Sequence, residues 1–203
     1  MARMGDVIEH PVSGETMVFL WTGADTDGEL LQIDLFVRNG GAVSVEHIHP
    51  AQEERFVVKR GEMTIVVDGE ERVLGPGDEA TVPAGTPHVW WNSGEEELNT
   101  LLELRPAGRF DEMITTFFAL AKTGHVNKRG LPGLLQMAVT LSEYEDIIQM
   151  VELPTFSRRV TIPLLALVGR AFGLRAYCPY PKSARVNNGM EIWRTNSLAA
   201  AGR

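Results

Sequence analysis

Residues 41–61 read GAVSVEHIHPAQEERFVVKRG, and the fold turns on how this stretch is taken. On an extended strand, side chains two apart share a face, so His47 and His49 converge. Pro50 and the polar Ala51-Gln52-Glu53 interrupt the alternation, and Glu54 returns on the next extended run. A second glycine-bounded stretch, residues 77–92, reads GDEATVPAGTPHVWWN and carries His88. Three of the five histidines and one carboxylate therefore sit in two short segments. Neutral imidazole nitrogen and carboxylate oxygen suit divalent ions such as zinc, iron, nickel and manganese. His47, His49, Glu54 and His88 form a metal site if the second segment folds beside the first.

Both segments resemble the two sequence motifs of the cupin superfamily. Gly41 is followed after five residues by His47 and His49, then after four by Glu54 and after six by Gly61. Gly77 is followed after five residues by Pro83, then Gly85, His88 and Asn92 in the spacing of the second motif. The resemblance covers roughly residues 15–106. It implies a mainly β fold: a small antiparallel β-barrel or jelly roll with one divalent metal ion inside, followed here by an α-helical C-terminal extension. Glu53 is the competing carboxylate, and the spacing to Gly61 favours Glu54. A homodimer is also expected from the resemblance.

Outward from the motifs, short strands are predicted over residues 16–21, 30–37, 43–49, 55–59, 63–67, 79–82, 88–91 and 98–104. Asp68-Gly69 between two alternating runs predicts a hairpin, because glycine accepts the positive φ such a turn needs. Gly75-Pro76-Gly77-Asp78 and residues 83–87 are further turns. Many short strands with Gly/Pro punctuation favour a sandwich or barrel over a parallel sheet. If His88 points inward, so do Trp90 and Asn92, and alternation from Glu54 adds Phe56 and Val58. Phe56, Val58 and Trp90 are thus the candidate substrate-binding walls of the centre, although the first two also suit plain barrel core.

From Phe110 the period changes to that of a helix. Residues 110–123 place Phe110, Met113, Ile114, Phe117, Phe118 and Ala121 at helical spacing, with Gly124 as terminator. Residues 131–152 read as a second helix ending before Pro154. Residues 156–176 are mostly apolar but hold Pro163 and Gly169, which predicts a kinked or broken helix. The tail from Tyr177 shows no clear period.

Charge divides the chain at the same place. Residues 1–105 carry seven Lys+Arg against twenty Asp+Glu, a net of −13, whereas residues 106–203 carry twelve against seven, a net of +5. The expected division is a barrel over residues 1–106 and a helical extension over 107–203. An acidic barrel repels phosphates, so nucleic acid is not an expected partner. Residues 156–203 hold eight Lys+Arg against Glu191 alone. Such a basic tail is expected to dock on the acidic barrel, of its own or a partner subunit. The weaker alternative is contact of residues 156–175 with an anionic membrane surface.

No run of about 18 apolar residues indicates a membrane span, and the first residues lack the apolar stretch of a secretory signal. With Cys178 the lone cysteine, no internal disulfide is available, and a reducing cytoplasm is the expected compartment. His10 and His125, outside the motifs, read as surface residues.

Three histidines and a carboxylate on an ion that prefers six positions leave room for water, dioxygen or a chelating small molecule. The first expectation is a metal-dependent dioxygenase acting on a small oxygen-bearing organic molecule, an activity known across the superfamily the chain resembles. In it Glu54 either ligates or swings off to act as a catalytic base. Isomerases, decarboxylases and lyases with the same ligands belong to the same superfamily, and a non-catalytic ligand-binding or sensing protein is the alternative. Fold and ligands do not choose among them.

Overall fold

The computed structural model describes residues 2–181. Among them eleven strands form two antiparallel sheets. The strands are β1 (Val7–His10), β2 (Glu15–Trp21), β3 (Leu31–Val37), β4 (Ala42–Ile48), β5 (Glu53–Arg60), β6 (Met63–Val67), β7 (Glu70–Leu74), β8 (Glu79–Val82), β9 (His88–Asn92), β10 (Leu98–Arg105) and β11 (Gln149–Met150). One sheet runs β1-β2-β3-β10-β5-β8 and the other β11-β4-β9-β6-β7. Alternation dictates the layering. Along β5, Glu54, Phe56 and Val58 are buried and their neighbours are not, and along β9 the buried set is His88, Trp90 and Asn92. Phe19, Ile33, Leu35, Phe56, Ile65 and Leu102 fill the space between the sheets. Each such side chain contributes roughly 1.5–3 kcal/mol on leaving water.

The Asp68-Gly69 hairpin forms as the composition predicts. Asp68 has φ 51° and Gly69 φ 80°, the two positive values of a type I′ turn between β6 and β7. Strands β1, β7 and β11 lie outside the expected set. β7 was hidden because Glu70, Glu71, Arg72 and Val73 are all exposed, so this edge strand has no apolar face to alternate. β11 is two residues long and exists only because it pairs with His47 and Ile48 of β4.

The first helix, α1 (Phe110–Lys122), covers the predicted span, with Phe110, Met113 and Phe118 buried and Asp111 and Glu112 at its positive end. The second, α2 (Leu134–Glu143), is shorter than expected. Gly133 remains extended as its N-cap. At the other end the acidic run Glu143, Glu145, Asp146 opposes the helix dipole. The backbone N–H groups of Ile147 and Ile148 both turn back to the carbonyl of Tyr144, and the chain leaves toward β11. In the third stretch the predicted irregularity takes the form of a π-helical turn over Ser157–Thr161, continuing into α3 (Ile162–Ala171). Pro163 cannot donate to the preceding turn, and widening that turn relieves the clash of its ring.

Among the described residues, Arg170 of the basic tail pairs with Glu143 of α2. Phe156, Leu164, Leu167 and Phe172 are exposed. No described helix is long and apolar enough to cross a membrane. Of the tail from Tyr177, residues 177–181 pack irregularly: the Cys178 N–H donates to Thr116 of α1, and the Glu9 N–H of β1 donates to the Tyr180 hydroxyl. The rest, residues 182–203 with Glu191, lies outside the described residues.

Candidate metal centre

Two sheets and one turn bring the four candidate ligands together. His47 on β4 is the register partner of His88 on β9, and His49 follows two residues later on the same inward face. Glu54 comes from β5 in the opposite sheet, opposite Leu104 of β10 and Val82 of β8. All four side chains are buried, and one ligand atom from each lies within 4.8 Å of the others. Glu53, the competing carboxylate, points to solvent.

The hydrogen bonds of the rings decide what these residues are prepared to bind. Nδ1 of His47 donates to the Val45 carbonyl at 2.9 Å, Nδ1 of His49 to Ile147 at 2.6 Å, and Nδ1 of His88 to Thr86 at 3.0 Å. With each proton assigned to Nδ1 by its carbonyl partner, each Nε2 carries a lone pair. Nε2 of His88 lies 2.8 Å from Oε2 of Glu54, and Nε2 of His49 lies 3.8 Å from Oε1. Yet Nε2 of His49, Nε2 of His88 and Oε2 of Glu54 are buried without completing a hydrogen bond. Burying such groups unpaired is costly. Three oriented imidazoles and a carboxylate with unsatisfied donor atoms fit a divalent cation, and backbone carbonyls behind metal-binding histidines are the usual means of fixing their tautomer.

Electrostatics agree with that reading. Burial lowers His47 to about 4, and repulsion from His88 and His49 adds to the effect. Burial also lowers His49 against the attraction of Glu54. Burial alone would raise Glu54, but the imidazoles around it, His49 first, hold it down at about 2. His88 is raised: burial opposes its charging, and the adjoining Glu54 carboxylate outweighs burial. Glu54 is therefore ionised at neutral pH, while His47 and His49 are neutral and free to ligate.

His47, His49 and Glu54 open onto a cavity of about 470 Å³, while His88 is fully buried behind them. Trp90 lines it. Phe56 and Val58 do not; they sit in the barrel core, where the Phe56 ring meets Trp90 edge-on at 5.7 Å. Much of the remaining wall comes from the extension: Phe110, Met113 and Phe117 of α1, with Ile148 and Met150 beside β4. The ring of Phe110 packs edge-on against His49 at 5.6 Å. Periodicity had marked these α1 positions only as an apolar face.

Two polar residues of the wall were missed. His10 was expected on the surface and is buried, 6% exposed, because its ring packs edge-on against Phe118 of α1. Glu15, its register partner on β2, is buried beside it. Alternation read backward from Phe19 and Met17 would have pointed Glu15 inward. His125 is exposed as expected. Asn92 spends its amide on structure, donating to the carbonyls of Val37 and Glu96.

Comparison with known proteins places these features in context. A cupin-domain family model matches residues 35–102. Quercetin 2,3-dioxygenase of Bacillus subtilis (strain 168) is 31% identical over 82 residues, 40% of this chain and 24% of that protein. The chain thus spans about a quarter of the length of the curated relative it matches. Among solved structures, a predicted oxalate decarboxylase from Thermotoga maritima is similar at 19% identity and a TM-score of 0.45, over 52% of this chain and 98% of the other. A sugar phosphate isomerase from a cupin superfamily of Silicibacter pomeroyi is similar at 25% identity and a TM-score of 0.41, over 46% and 60%.

Proposed function

We propose that this chain, whose residues 35–102 match a cupin domain, is a metal-dependent dioxygenase acting on a small oxygen-bearing organic molecule. The observation that carries the proposal is the joint orientation of the three histidines. Each imidazole has its Nδ1 proton engaged by a carbonyl, and Nε2 of His49 and of His88 lies near the Glu54 carboxylate, beside a cavity large enough for an aromatic molecule. The activity named for the Bacillus subtilis relative supports the reading over the stretch that matches.

His47, His49, His88 and Glu54 would hold the ion, iron or manganese for oxygen chemistry, with nickel and zinc the other ions this donor set accepts. Such an ion supplies Lewis acidity toward a substrate oxygen and a path for electrons from substrate to dioxygen. The remaining work falls to the side chains. Glu54, ionised at neutral pH and lining the cavity, would accept the proton of a substrate hydroxyl. Trp90, Phe110 and Met113 exclude water and seat the apolar body of the substrate. The carbonyls of Val45, Ile147 and Thr86 keep the imidazoles in place throughout. Both atoms of dioxygen enter the product and the substrate supplies the electrons, so no separate reductant is required.

The test is elemental analysis of protein purified without added metal, followed by reconstitution with iron, manganese, nickel or zinc. Oxygen uptake is then measured with flavonols and other hydroxylated aromatics. Uptake accompanied by incorporation of two labelled oxygen atoms is the expected result. Tight binding without uptake under every metal would replace the dioxygenase with a ligand-binding protein.

A further inference from the structure

We propose that Glu15, anchored by Ser13 on the wall of the same cavity, binds a hydroxyl group at the end of an aromatic ligand that lies away from the four-residue centre. The inference rests on the dioxygenase reading and names the substrate class for that site.

Glu15 begins β2, and its side chain shares the inward face with Met17 and Phe19. It is 5% exposed and lines the cavity together with His47, His49 and Glu54. One carboxylate oxygen, Oε2, accepts a 2.5 Å hydrogen bond from the Ser13 hydroxyl. The other, Oε1, is buried with no hydrogen-bond partner among the described residues. A buried carboxyl oxygen left unpaired is costly, and a ligand group that pairs with it recovers that cost.

The surroundings hold the carboxyl in place. The Ser13 N–H donates to Nδ1 of His10 at 3.0 Å, so the His10 proton resides on Nε2. Two glycines permit close approach to this hairpin end. A Cβ at Gly41 would come within 2.5 Å of the Ser13 carbonyl, and one at Gly130 within 2.6 Å of the His10 ring. Gly130 belongs to the segment between α1 and α2, so barrel and extension together clamp the cluster.

The chemistry of the carboxyl selects the ligand group. Burial pushes Glu15 up to about 7, with the Ser13 hydrogen bond opposing. Near neutrality both protonation states are present, and a hydroxyl pairs with either: it accepts from the acid and donates to the carboxylate. A ligand carboxylate would be repelled by the ionised form. The wall that Glu15 shares with the centre also holds Met17, Trp90, Phe110, Met113 and Phe117, which favours an aromatic body.

Galangin and kaempferol are flavonols that differ by one hydroxyl on the ring remote from the chelating hydroxyketone. Their dissociation constants would be measured on the full, manganese-loaded chain without dioxygen, so that turnover does not intervene. The wild-type protein is expected to prefer kaempferol about tenfold, the worth of one buried hydrogen bond. Glu15→Leu should abolish the preference while keeping metal content and galangin affinity. Glu15→Gln should retain it, since an amide both donates and accepts. If Glu15→Leu does not fold, infrared difference spectra of the wild type decide. The carboxyl C=O band that Glu15→Gln lacks should shift with kaempferol and not with galangin.

An unchanged preference in Glu15→Leu, a band indifferent to kaempferol, or a wild type that binds neither flavonol overturns the assignment. Oxygen uptake with a preference insensitive to Glu15 would overturn this site alone. The expected preference without oxygen uptake would overturn the dioxygenase alone.

Discussion

The backbone carbonyl of Ile147 accepts a 2.6 Å hydrogen bond from Nδ1 of His49, joining two residues 98 positions apart. A residue of the helical extension thus sets the tautomer of a candidate ligand in the barrel. The same segment supplies Met150, paired in register with His47. The extension therefore takes part in the centre, although composition and charge divide it from the barrel.

That link is open to a single-site test at Gly108. It has φ 55°, and a Cβ there would lie 2.8 Å from Cδ1 of Ile147 and 3.1 Å from the Gln52 amide. Gly108→Ala is expected to displace Ile147 and weaken metal binding about tenfold or more, the usual effect of disturbing a hydrogen bond behind a ligand. Strain at the positive φ should add a loss of about 1 kcal/mol or more in stability. Chelator competition and urea titration measure the two effects, and unchanged metal affinity would show that Ile147 does not position His49.

Exchange of adjacent carboxyls tests the ligand set. Glu54 is buried among the histidines and Glu53 is exposed. Glu54→Gln should lower metal affinity at least tenfold, whereas Glu53→Gln should leave it unchanged. His49→Ala should release most of the metal with the β-sheet circular dichroism intact. Full metal occupancy in either Glu54→Gln or His49→Ala, read by elemental analysis, would remove that residue from the set.

Acid should act on the metal-free protein through the same residues. His47 is lowered to about 4, so its contribution is present above its ordinary value of 6.5 and is lost as pH falls from there toward 4. Glu54 is lowered to about 2, so its contribution is present above 4.5 and is lost as pH falls through 2. His88, raised, acts in the opposite direction and offsets part of the first loss. In Glu15→Gln protein, where the opposing titration of Glu15 is absent, the chelator-treated chain is thus expected to lose stability progressively below pH 6.5, and urea midpoints across that range check it. A flat profile down to pH 4 would contradict the burial of His47 as a neutral ring.

Glu15 carries the reverse dependence. Its folded value is raised to about 7 from 4.5, so its contribution is complete below 4.5 and is lost as pH rises through 7. The full loss corresponds to about 3 kcal/mol. Glu15→Gln should therefore gain stability relative to wild type as pH rises from 4.5 to 8, by up to that amount. A pH-independent difference between the two proteins would place Glu15 in water.

Core and cavity separate at Phe56 and Trp90. Phe56 is fully buried between the sheets, so Phe56→Ala should cost about 3–5 kcal/mol. Trp90 faces the cavity, and Trp90→Phe should weaken flavonol binding with a smaller loss of stability. Thermal melting and ligand titration of both variants measure the contrast. Equal effects of the two substitutions on binding would return Phe56 to the ligand-binding wall.

The centre was legible because its signals are local. His47 and His49 share a strand face by period two, and Asp68-Gly69 make their turn through backbone angles that few residues adopt. The α1 face was legible for the same reason, since helical spacing is a property of neighbours. Strand β7 was hidden because an exposed edge strand needs no apolar period, and α2 was overextended because nothing in its own residues records where Ile147 must go.

The sequence by itself determined the four ligand types, their spacing and the change from strand to helix, all set by repeats within a few residues. Only the tertiary structure decided that His10 is buried, that one oxygen of Glu15 is left without a partner among the described residues, and that Ile147 orients His49. Those outcomes depend on which distant surfaces exclude water together. Glycines at 41, 108 and 130 take their meaning from what packs against them, which no neighbouring residue specifies.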